Sequence, residues 1–76
     1  MSGTTDNLVK MANQIGDFFG TMQDRTQSLE EIAAHLRRFW APSMRTALLA
    51  HLDAHAGAGM SDIVLDSLKT HRDKIV

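Results

Sequence analysis

Apolar residues along this chain recur at intervals of three and four, so at about 100° per residue they gather into stripes on one side of a helix. Leu8, Met11, Ala12, Ile15, Phe18, Phe19 and Met22 make the first stripe. Thr5 or Asp6 is placed to cap this helix, and Gly20 to end it with a left-handed residue. A polar stretch, Thr21 to Gln27, then leads to Ser28-Leu29-Glu30-Glu31, a Ser-x-x-Glu pattern that predicts a capping box and the start of helix 2. Its stripe is Leu29, Ile32, Ala33, Leu36, Phe39 and Trp40.

Pro42 disfavours helical geometry at Ala41 but is well suited to the first position of a new helix, so helix 3 is expected from Pro42 to about His55. Met44, Leu48, Leu49 and Leu52 form its apolar arc, and Arg45 falls inside that arc. The guanidinium there must reach water along its stem, satisfy carbonyls at the end of a neighbouring helix, or meet a partner's carboxylate. The Ala56-Gly57-Ala58-Gly59 stretch is a break, and helix 4 follows with Ser61 as N-cap and Met60 and Leu65 as a hydrophobic staple. Its stripe of Val64, Leu65, Leu68 and Ile75 is thinner and is interrupted by His71 and Arg72. No strand-like alternation or internal repeat occurs. The pattern predicts an all-α fold, a small bundle of three to four short helices.

Length and composition narrow this picture. The chain has 76 residues, one domain spanning 1–76 with a flexible N-terminus over about residues 1–5. A core of this size rarely supplies more than about 3 to 5 kcal/mol, and the absence of cysteine removes disulfides, thiolate metal sites and cysteine nucleophiles. Support from a partner subunit is the remaining device. Apolar content of 43% against 22% charged residues argues for folding and against disorder. The N-terminal residues offer neither a basic region nor an apolar run, and no stretch is apolar enough to span a bilayer, so a cytoplasmic protein is expected.

The net charge of −1 is unevenly spread: residues 1–31 carry −3, residues 32–52 carry +3 and residues 53–76 carry −1. The basic middle, with Arg37, Arg38 and Arg45 and no acid, is where a carboxylate-bearing partner surface is expected. Little else suggests chemistry. His51 and His55 have the i, i+4 spacing of a shared metal, but no third ligand accompanies them. The Arg37-Arg38-Phe39-Trp40 run, with helices 2 and 3 imitating a helix-turn-helix, admits a nucleic-acid or regulatory adaptor. Against that, helix 3 presents a single arginine where a recognition helix needs several polar and basic residues. Phe39 and Trp40 read equally well as core or as interface, since Trp and Arg dominate interface hot spots.

Two ordered blocks carry a resemblance. Leu8-Val9-Lys10-Met11-Ala12-Asn13-Gln14-Ile15 with Phe18-Phe19, followed by Ile32-Ala33-x-His35-Leu36-Arg37-Arg38-Phe39-Trp40-x-Pro42-x-Met44-Arg45, resembles the small delta subunit of bacterial soluble, NAD-dependent, molybdenum-containing formate dehydrogenases. The likeness implies a complex that oxidises formate to carbon dioxide and reduces NAD+. It further implies that the alpha subunit holds the molybdenum bis-guanine-dinucleotide cofactor and iron–sulfur clusters, the beta subunit FMN, and the gamma subunit further clusters. The delta subunit is then expected to bind no cofactor, to have no catalytic or metal-ligating residue, and to dock on the alpha subunit. The expected role is assembly or stability, with a transient chaperone for molybdenum cofactor loading as the alternative. Phe18, Phe19, Arg37, Arg38, Phe39, Trp40, Pro42, Met44 and Arg45 are the candidate partner-facing residues.

Overall fold

The computed structural model describes residues 3–76. Five helices follow one another: α1 (Gly3–Phe19), α2 (Arg25–Phe39), α3 (Pro42–His55), α4 (Asp62–Thr70) and the single turn α5 (Arg72–Ile75). The chain is all-α, and the described residues include no strand. Helix α2 is the centre of the arrangement, packing against α1, α4 and α5, while α1 also contacts α3 and α4. The core that results is drawn from all five helices, with Ile32, Leu36, Leu48, Val64, Leu68 and Ile75 fully buried.

Small residues let two of these helices come close. A Cβ on Gly16 would lie 2.7 Å from Val64 Cγ2 and 3.2 Å from Ile63 Cγ2, so α1 and α4 approach each other only because position 16 has no side chain.

Several boundaries differ from those expected. The flexible lead expected at residues 1–5 lies outside the described residues at positions 1 and 2, and from Gly3 the chain is already helical. Gly20 follows the end of α1, but its backbone is not left-handed. Its hydrogen atom is needed for another reason, because a Cβ there would stand 2.8 Å from the Gly16 carbonyl oxygen. Helix α2 begins a turn earlier than the Ser-x-x-Glu pattern suggested. Asp24 is the N-cap, accepting a hydrogen bond from the Thr26 amide at 2.9 Å. Ser28 is instead buried inside the helix, and its hydroxyl donates to the Phe19 carbonyl at 2.7 Å, tying α2 to the end of α1.

Helix α3 runs over the expected residues with Pro42 at its start. It ends at a left-handed residue that is an alanine, Ala56, with φ of 54°. Gly57 and Gly59 continue the turn at positive φ, and at Gly57 a side chain would also collide with Leu65.

Ser61 is the N-cap residue of α4, but its side chain makes no capping bond. The task passes to Asn13 of α1, whose Oδ1 accepts from the Ser61 amide at 2.9 Å while its Nδ2 donates to the Gly59 carbonyl at 2.9 Å. The last expected helix is interrupted at His71, leaving α5 to place Ile75 in the core. A paired ion bridge, Arg72 Nη1 and Nη2 to Asp53 Oδ1 and Oδ2 at 2.8 and 2.7 Å, ties α5 to α3. The Arg72 hydrogen bond, aided by its charge, holds the Asp53 carboxyl below its ordinary value.

Candidate functional site

Helices α1 and α2 each end in aromatic residues, and the Ser28 hydrogen bond to Phe19 ties the end of α1 to the first turn of α2. The rings form a chain across the two helices. Phe18 meets Phe19 edge-on with centroids 5.0 Å apart, Phe19 meets His35 at 5.9 Å, and His35 meets Phe39 at 4.8 Å. Phe18 is 71% exposed and Phe39 66% exposed, whereas Phe19 is half-buried at the edge of the core. Beside them a groove of about 400 Å³ is lined by Met11, Gln14, Ile15, Phe18, Phe19, His35 and Trp40.

The backbone explains why Phe39 faces out and Trp40 faces in. Helix α2 stops at Phe39, and Trp40 takes an extended conformation at φ −90° and ψ 140°. That turn swings the indole into the core, where it is 6% exposed. The chain then re-enters a helix at Pro42, so the last carbonyls of α2 have no helical donor.

Arg45 supplies one. It is buried at 8% exposure, and its Nη1 donates to the Trp40 carbonyl at 2.9 Å and to the Arg37 carbonyl at 3.1 Å. Of the three fates open to this cation, it takes the end of the neighbouring helix. Its Nε is buried without a partner among the described residues.

The remaining sequence candidates lie elsewhere. Pro42 is exposed at the start of α3, and Met44 is half-buried against the core. Arg37 and Arg38 are exposed on α2 and line a groove shared with α5. Arg37 Nη1 donates to the Val76 backbone oxygen at 2.9 Å, and Arg38 has no hydrogen-bond or ion-pair partner among the described residues. The structure therefore joins Phe18, Phe19 and Phe39 through His35, lets the buried Trp40 line the adjoining groove, places Arg45 beneath the α2–α3 corner, and puts Arg37 and Arg38 in a groove shared with α5. His35 is not among the candidate residues of the sequence, although its i, i+4 spacing to Phe39 is the signal that both share one side of α2.

The His51 and His55 rings lie 5.5 Å apart, and His51 Nε2 hydrogen-bonds to the Ala58 carbonyl oxygen at 2.8 Å. Among the described residues no group of three or more histidine, cysteine, aspartate or glutamate side chains is placed to hold a metal ion. Among them, too, no helix is long and apolar enough to cross a membrane.

The chain is a small all-helical protein with exposed aromatic rings near the ends of α1 and α2. The sequence model of one family, the NADH-dependent formate dehydrogenase delta subunit FdsD, matches residues 7–68, and the chain belongs to that family. Comparisons with curated proteins and with solved structures give no match. The matched stretch contains the whole aromatic chain and the segment from Arg37 to Arg45, and it stops before α5.

Proposed function

We propose that this chain is a non-catalytic accessory subunit of a cytoplasmic NAD-dependent formate dehydrogenase complex, supporting its assembly or stability by docking on the catalytic alpha subunit. The observation that carries this reading is the aromatic chain from Phe18 to Phe39, whose two end rings are among the most exposed large apolar residues described. An isolated protein gains nothing from two phenylalanines in water, while a partner covering them gains the burial of large, rigid rings. Family membership supplies the setting in which such a partner exists.

In this reading the molybdenum cofactor and iron–sulfur clusters belong to the alpha subunit, FMN to beta, and further clusters to gamma. The chain itself contains no cysteine with which to ligate a cluster. Its contribution to turnover is indirect, through the amount of complex that stays assembled.

The test is a capture experiment in which the tagged chain is co-expressed with the alpha, beta or gamma subunit singly. Docking on alpha predicts that alpha alone is retained in one-to-one ratio after extensive washing. Retention of beta or gamma without alpha would overturn the assignment, and loss of the chain from the mature complex would make it a transient assembly factor.

A further inference from the structure

A second surface of different chemistry lies where α2 meets α5. Ala34, Arg37 and Arg38 on α2 and Asp73, Lys74 and Val76 on the α5 side enclose a groove of about 660 Å³. Three cations face one acid there. Arg38 and Lys74 make no ion pair or hydrogen bond among the described residues, and Arg37 spends one nitrogen on the Val76 backbone oxygen at 2.9 Å. That bond fixes the Arg37 guanidinium at the rim and leaves its other N–H groups free. The acids elsewhere do not reach this place: Asp53 is taken by Arg72 and Asp66 by Arg25. The Arg38 and Lys74 side chains are thus without an ion-pair partner among the described residues.

We infer that this α2–α5 groove binds an acidic segment of a partner protein, as a second contact separate from the aromatic face. The inference rests on the docking reading above for the identity of the partner, a subunit of the formate dehydrogenase complex. Charge complementarity argues for carboxylates. Guanidinium forks match their planar geometry in pairs, and Lys74 adds a point charge on the facing wall. A long polyphosphate chain fits less well, because residues 1–31 carry −3 and repel an extended anion that runs beyond the groove. Both contacts, one apolar and one basic, use the C-terminal half of α2. The apolar side sets how long the complex lasts and the basic side how fast and with which partner it forms.

The experiment titrates the full-length chain onto formate dehydrogenase purified without it, at about 50 mM and about 500 mM salt. Four chains are compared: wild type, Arg38→Glu/Lys74→Glu, the milder Arg38→Gln/Lys74→Gln, and Phe18→Ser/Phe39→Ser. Circular dichroism establishes that each is helical. The wild type is expected to bind at least about tenfold more tightly at the lower salt, and charge reversal to remove that advantage. The neutral pair should fall between them, and the phenylalanine pair should weaken binding at both salts by the same factor. Charge-reversed and neutral variants that both bind within about twofold of wild type at low salt would overturn the inference and leave docking intact. Failure of the wild type to bind at either salt would instead sink the docking reading. A single-stranded oligonucleotide bound by wild type and released by charge reversal, with complex affinity unaltered, would reassign the groove to phosphates and overturn the inference as well.

Discussion

Arg45 closes the end of helix α2 by donating from Nη1 to the carbonyl oxygen of Trp40 at 2.9 Å, five residues back along the chain. The same nitrogen reaches the Arg37 carbonyl at 3.1 Å, so one buried cation holds the corner at which α2 gives way to α3. Replacing it with methionine keeps the apolar stem and leaves both carbonyls unpaired. The expected cost is about 1 to 3 kcal/mol of the chain's own stability, read by denaturant unfolding. Formate turnover per assembled complex should be unchanged. An Arg45→Met chain as stable as wild type would show that water replaces the guanidinium at no cost.

Gly16 gives a test of packing. An alanine there places its Cβ 2.7 Å from Val64 Cγ2, and relief requires α1 and α4 to move apart. Overpacking of this kind costs about 1 to 3 kcal/mol, partly offset by a gain in helix propensity of about 1 kcal/mol. Gly16→Ala should therefore destabilise, and adding Val64→Ala should cost less in the Gly16→Ala background than in wild type. Strictly additive effects of the two substitutions would mean that the helices do not meet at this point.

The Asp53–Arg72 bridge predicts a dependence on acid. The Arg72 hydrogen bond and charge lower the folded pKa of Asp53 below the ordinary aspartate value of about 3.9. A group with a depressed folded pKa contributes stability above its unfolded pKa and loses it as pH falls through the folded one. Wild type should therefore lose stability faster than Asp53→Asn on going from about pH 5 to about pH 2, and added salt should shrink the difference. Both groups are exposed, so the effect is expected to be small. Parallel acid titrations of the two proteins would show that the bridge does not persist in solution.

The stripes that place Leu8, Ile32, Leu48 and Leu68 in the core were readable from spacing alone, because helical period and burial go together. The start of α2 was misread at Ser28 because Asp24-x-x-Gln27 carries an equivalent capping signal and only tertiary packing decides between them. The pattern shows His71 and Arg72 as an interruption of the apolar stripe and not as a helix break, since Ile75 stays in phase with Leu68 as if one helix continued. The wheel position of Arg45 was legible, but its partners depend on α2 stopping at Phe39. The same stop separates Phe39 from Trp40, which share a stripe in sequence and lie on opposite sides of the surface in space. The Asn13 bridge to Gly59 and Ser61 joins residues 46 and 48 positions apart, a relation that no local spacing expresses.

The aromatic face decides whether this chain works by docking, and the most direct measurement is the affinity of Phe18→Ser/Phe39→Ser for formate dehydrogenase lacking the chain. Both side chains are mostly exposed, so the isolated variant should keep its helical signal and melt near the wild-type temperature. Interface aromatics of this kind contribute about 2 kcal/mol each, about 4 kcal/mol for the pair, so affinity should fall by about 1,000-fold. Turnover per assembled complex should stay at the wild-type level. An affinity within about twofold of wild type, with the two rings gone, would contradict the docking of this surface.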